Sequence, residues 1–127
     1  MRLVVTGGRD LTNEALVWAT LDEIHAKTPI TTIAEGGHKK GCDHFVRRWA
    51  LSRRIGVRRT FEVTNIEWTK LGKAAGPIRN GRMLREVDPY LVLAFPTGGP
   101  GTNNCIKQAR ALGIEVRIIE TGQERSA

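Results

Sequence analysis

Two carboxylates in the first half of the chain, Glu35 and Asp43, bracket the glycine pair Gly36-Gly37 and a short polar stretch. Cleaving an N-glycosidic bond requires a carboxylate to stabilise or attack the developing oxocarbenium carbon, and an acid to assist the departing base. Glu35 and Asp43 are therefore the candidate catalytic residues. A helix first turn also favours a carboxylate through its dipole, and that alternative stays open for Asp43. Further along stand Arg79 and Asn80. A guanidinium can grip a phosphate bidentately, and an amide can read a base or a ribose. Arg9, beside Gly7-Gly8, is a second candidate cation, and the neighbouring Asp10 is a candidate helix cap.

These residues need elements to position them. Leu3 to Val5 is a β-branched run that stops at Thr6-Gly7-Gly8, which predicts a buried strand ending in a glycine turn. From Asn13 to Lys27 apolar residues recur at helical spacing, with Asp10 or Thr12 as N-cap. Ile30 to Ala34 predicts a second strand, ending at Glu35-Gly36-Gly37, and a helix follows from Cys42 to Ile55. In that helix Phe45, Val46, Trp49 and Ala50 face a sheet, while Arg47, Arg48, Arg53 and Arg54 point outward. Val57 to Val63 reads as a third strand. Thr64 to Gly76, with Trp68 and Leu71, reads as a functional loop or lid. Pro77 opens a helix that runs over Ile78 to Val87, Tyr90 to Phe95 is the fourth strand, and a helix from Thr102 to Leu112 precedes a last strand, Ile114 to Ile119.

Strands alternating with helices predict an α/β domain: a Rossmann-like, three-layer architecture with a mainly parallel sheet of about five strands and helices on both faces. Residues 1–120 form this single domain and 121–127 a flexible tail. In such a sheet the turns after strands converge at one edge. The turns Gly7-Gly8, Gly36-Gly37 and Gly98-Gly99-Pro100-Gly101 each follow a strand and precede a helix. Glycine lets backbone approach a ligand, and helix N-termini offer N–H groups to an anion. Thr102 either caps its helix or donates to phosphate. No glycine-lysine-serine/threonine run and no G-x-G-x-x-G occurs, which argues against an ordinary NTPase or dinucleotide enzyme.

The net charge of +7 attracts anionic partners, phosphorylated ligands and nucleic acid alike. The longest apolar runs are too short to span a bilayer, and no signal-peptide pattern opens the chain, so a cytoplasmic protein with no membrane partner is expected. Cys42 and Cys105 do not make a disulfide framework. His38, Cys42 and His44 lie close in sequence but lack a second cluster, so no metal is assigned.

Val5-Thr6-Gly7-Gly8-Arg9-Asp10, Glu35-Gly36-Gly37 followed by Gly41-Cys42-Asp43, Ala75-Gly76-Pro77-Ile78-Arg79-Asn80 with Met83-Leu84, and Ala94-Phe95-Pro96 leading into Gly98 to Thr102 together resemble the YspA family. It is a cpYpsA-related family of the SLOG superfamily of Rossmann-like domains. The resemblance implies binding of a nucleotide or nucleotide-derived signal and a homo-oligomer; no cofactor is assigned. The ligand site it implies is Thr6, Gly7, Gly8, Arg9, Gly36, Gly37, Arg79, Asn80, Gly98, Gly99, Gly101 and Thr102. Relatives in the superfamily include LOG-type phosphoribohydrolases, which cleave nucleoside monophosphates, and the DNA-binding protein DprA. Two alternatives follow: an N-glycoside hydrolase and a single-stranded nucleic-acid binder. The LOG-type loop reads Pro-Gly-Gly-x-Gly-Thr-x-x-Glu with a catalytic glutamate, and this chain has Cys105 at that position.

Overall fold

The computed structural model describes residues 1–58 and 72–124. Five strands form one parallel sheet: β1 (Arg2–Gly7), β2 (Thr32–Ala34), β3 (Gly56–Arg58), β4 (Leu91–Phe95) and β5 (Glu115–Ile118). Their order is β3-β2-β1-β4-β5. The chain winds outward from β1 to β3, returns to the other side of β1 at β4, and so makes a topological switch between β1 and β4. Register fixes that junction, with Leu3 opposite Leu91 and Gly7 opposite Phe95.

Four helices cover the sheet among the described residues: α1 (Glu14–Lys27), α2 (Cys42–Ser52), α3 (Ala75–Val87, entered by a 3₁₀ turn at Gly72–Ala74) and α4 (Pro100–Ala111). Strand side chains alternate between two cores. Leu3, Val5, Leu91, Leu93 and Phe95 pack with Val17, Leu21, Val46 and Trp49 of α1 and α2. Val4, Ala34 and Val92 pack on the other face with Met83, Leu84, Val87, Cys105 and Ala109 of α3 and α4. The expected three-layer α/β domain is therefore what the chain forms. No helix of the described residues is long and apolar enough to cross a membrane.

Several local expectations change. Asn13, not Asp10 or Thr12, caps α1, its side chain accepting from the Leu16 N–H at 3.0 Å. Asp10 instead accepts from the Thr97 hydroxyl at 2.6 Å, and Thr12 is engaged by Gln123. Helix α3 begins at Ala75 rather than Pro77, because the preceding 3₁₀ turn supplies its entry and leaves Pro77 within the first turn, where no N–H is needed. Helix α4 begins at Pro100, after Gly99 at the cap position, so Thr102 is a buried first-turn residue and not a cap. Strand β3 is described to Arg58; the expected strand beyond it and most of the expected loop or lid, with Trp68 and Leu71, lie outside the described residues.

Candidate functional site

The loops after β1, β2 and β4 meet at the carboxyl edge of the sheet, and protein atoms already fill much of the space between them. The Gly8 N–H donates to Phe95 O at 3.2 Å, and the Cys42 N–H donates to Gly8 O at 3.1 Å. A Cβ at Gly8 would collide with Thr97 Oγ1, and one at Gly7 would meet Cys42 Sγ. Gly41 has φ +74° and its Cβ would run into the Arg9 backbone, so the β1 and β2 loops touch main chain to main chain. Only glycine tolerates both that dihedral and that approach. The segment just after β5 is fastened here as well: Thr121 Oγ1 donates to Pro96 O at 2.8 Å, and Gln123 bonds Thr12 N–H and Asp10 O.

The β2 loop is organised by its two carboxylates. Glu35 is fully buried. One of its oxygens accepts from the Gly37 N–H and the other from Arg47 Nε at 2.8 Å. Arg47, on the first turns of α2, also donates to His38 O at 2.6 Å, and its side chain is only 15% exposed. It points into the protein rather than outward as expected from the helix pattern, and it is the residue of this edge that the sequence reading missed. A buried Glu at a strand end demands a cation, and a position one turn after Asp43 is where α2 can supply one.

Asp43 is 9% exposed and accepts from the His38 N–H at 3.1 Å, with a further backbone bond from Gly36. Burial pushes both carboxyls up. Glu35 is raised to about 7, first by desolvation and then by the Asp43 charge, against the pull of Arg47. Asp43 is raised by desolvation, opposed by its backbone bonds and by Arg79. The N–H groups of Gly37 and His38 are thus already committed to carboxylates, which leaves this loop acceptor-rich rather than donor-rich.

Arg79 lies across this loop from α3. A Cβ on Gly36 would sit 3.0 Å from Asp43 Oδ2 and 3.1 Å from the Arg79 guanidinium carbon, so Gly36 provides the floor on which carboxylate and guanidinium meet. Arg79 donates to Asn80 Oδ1 at 3.2 Å and, at 3.4 Å, to Gly36 O, while its buried Nε has no partner. Asn80, 2% exposed, donates to Gly101 O and to Asn104 Oδ1, both at 3.2 Å. Through Asn80, helix α3 holds the first turn of α4. That turn has no side-chain cap bond, and no neighbour lies within 4 Å of a Cβ placed on Gly99 or Gly101. Gly98 takes φ +93° to deliver the chain into it.

Of the expected site residues, the structure brings Gly36, Asp43, Arg79, Asn80, Gly101 and Thr102 around one edge. Thr6 is 8% exposed at the end of β1, and its hydroxyl bonds Cys105, the position of the LOG-type glutamate. Burial pushes the Cys105 thiol up to about 11 and the Cys42 thiol well above its usual range, so neither is an activated nucleophile. Gly7 and Gly8 are spent on internal contacts, Gly37 on Glu35, and Arg9 is exposed. An open hollow lined by Met1, Arg2, Thr28, Asp88, Pro89 and Tyr90 lies at the opposite edge of the sheet, remote from this chemistry.

A parallel sheet with a switch point, glycine loops at its carboxyl edge and helices on both faces define a Rossmann-like α/β domain. The chain belongs to the YspA, cpYpsA-related SLOG family, whose model matches residues 1–70. It is 36% identical over 118 residues to the Gene 61 protein of Mycobacterium phage D29, covering 91% of this chain and 93% of that protein. No solved structure gives a significant match.

Proposed function

We propose that the chain binds a nucleotide or nucleotide-derived small molecule at the carboxyl edge, with an anionic group on the first turn of α4 beside Arg79 and a hydroxylated sugar toward Asp43. The observation that carries this reading is the half-buried Arg79, which has an unpartnered Nε and stands between an acceptor-rich loop on one side and an uncapped, uncrowded helix start on the other. Acceptors favour hydroxyl donors, and free helix N–H groups favour phosphate. Family membership supports a nucleotide-type ligand.

The test is thermal denaturation with nucleoside mono-, di- and triphosphates, cyclic nucleotides, ADP-ribose and short single-stranded DNA. A ligand at ~100 times its Kd adds about 2.7 kcal/mol, a rise on the order of 10 °C in a domain of this size. The expected result is stabilisation by a small nucleotide and a roughly tenfold or greater loss of affinity in Arg79→Gln. Stabilisation by DNA alone, collapsing with salt, would instead identify a strand binder.

A second reading, N-glycoside hydrolysis, is favoured by the raised Asp43 carboxyl beside Arg79. In it Asp43 would carry the chemistry and Glu35 would not, because Glu35 is sealed behind the Gly37 loop and Arg47. Chromatography of a stabilising nucleotide incubated with the protein, and with Asp43→Asn, decides the matter. Base released by the wild type and not by the variant makes the protein a hydrolase; intact nucleotide in both makes it a binder.

A further inference from the structure

Among the described residues, strand β5 closes one side of the sheet and pairs with β4 alone. The Ile119 N–H donates back to Ala94 O at 2.8 Å. Main-chain groups alternate along a strand, so residues 115 and 117 also face β4, Val116 and Ile118 turn both N–H and C=O outward, and Ile114 turns only its C=O to the edge because its N–H donates to Ala109 O at 3.0 Å. Side chains alternate too. Ile114 and Val116 pack toward the α3/α4 core, while Glu115 and Arg117 stand exposed on the other face.

We infer that this edge is a self-complementary interface that joins two copies of the chain by antiparallel β5–β5 pairing about a two-fold axis at Val116. An isologous contact must set each residue against its symmetry mate, and outward main-chain groups must oppose outward groups, so the axis can fall only on a residue and not between two. An axis at Glu115 or Arg117 sets like charges face to face. An axis at Ile114 or Ile118 leaves both charges without a cross-strand partner of opposite sign. The axis at Val116 sets Glu115 against the partner's Arg117 and Arg117 against the partner's Glu115; it pairs the N–H and C=O of Val116 with those of the partner's Val116, and it aims the Ile118 N–H at the partner's Ile114 C=O, the Ile114 N–H being held by Ala109 O. Opposed charges stabilise such a pair, and like charges destabilise it.

The other face agrees. Ile118, 43% exposed, borders a hollow of about 370 Å³ that is also lined by Asn103, Ile106, Lys107 and Arg110. In the paired arrangement the partner's Ile114 lies against Ile118 at this hollow and covers apolar surface. Lys107 and Arg110 keep their charged ends in water on long stems. Pairing also removes the liability of an open sheet edge. The inference is independent of the ligand reading above.

Sedimentation equilibrium over a concentration series tests it with Glu115→Arg and Arg117→Glu, whose folds are checked by circular dichroism. Wild type should dimerise. Each variant alone should associate at least roughly tenfold more weakly, because both cross-strand pairs become like-charged. Mixed in equal amounts, the two variants should recover dimer, because each Arg of one then faces a Glu of the other. A wild type that stays monomeric up to its solubility limit, single variants that dimerise as wild type does, or a mixture that does not recover would each overturn the pairing.

Discussion

Glu35 titrates near 4.5 when exposed and near 7 in the fold. Between those values the folded chain holds a proton that the unfolded chain has released. The stability this group contributes is therefore complete below about pH 4.5 and is lost as pH rises through 7, by on the order of 3 kcal/mol. Asp43, raised in the same direction, steepens the fall. Urea denaturation between about pH 5 and pH 8 should show stability decreasing across that range, and Glu35→Gln should flatten the curve. Arg47→Met is the complementary case. Above pH 7 it strands a buried carboxylate and should cost about 3–5 kcal/mol, with a smaller loss near pH 5, where Glu35 is protonated. The carboxylates themselves are legible in the sequence, since Glu35 and Asp43 flank a glycine turn after a strand. Arg47 is not, because a helical pattern reports which side of α2 is apolar and Arg47 sits at its border, aimed inward by a buried charge that only the folded β2 loop creates.

Among the elements, α4 offers a way to separate glycine that is structural from glycine in the proposed ligand site. Gly8→Ala places a methyl on Thr97 Oγ1 and should lower stability by several kcal/mol, and Gly41→Ala adds dihedral strain to a backbone clash. Gly101 lies in the first turn of α4 with open space around it, so Gly101→Ala should leave the melting temperature unchanged or raise it by up to ~1 kcal/mol equivalent. The same methyl would stand where the proposed phosphate would approach the helix, and a nucleotide-induced thermal shift should then shrink. Retention of the full shift would argue against an anion at that helix start. Strand and helix placement follows from the alternation of apolar runs and glycine turns, which is why most elements are readable to within a few residues. Cap identity is not: Asp10, Thr12 and Asn13 are all competent, and the choice falls to Asn13 because Thr97 and Gln123 reach the other two from distant segments.

At the scale of the whole molecule, a net charge of +7 draws nucleotides and nucleic acid alike. The two are separable by salt. Binding of one small anion at Arg79 and the α4 first turn should weaken modestly between about 50 and 200 mM salt, whereas a strand spanning several cations would lose orders of magnitude. Titration of the best-stabilising nucleotide at both salt concentrations measures the slope. The layer order and the parallel direction of the sheet follow from the repeating strand–helix unit. The switch between β1 and β4 does not, because strand order is decided by which hydrophobic faces meet across long loops.

The seam between the β1, β2 and β4 loops has a consequence for local opening. The amides of Gly8 and Cys42 are hydrogen-bonded across that seam, and the Leu11 N–H closes the β1 loop on Gly8 O, on glycines that admit no slack. Loops held this way belong to the same cooperative unit as the strands beneath them. In native-state hydrogen exchange these amide protons should therefore leave as slowly as those of Val4 and Val92 in the central strands, with a protection set by global unfolding rather than by fraying. A ligand bound as proposed would meet a seam already in place between these three loops, and its binding should register as a fast, single-phase association without a preceding slow step.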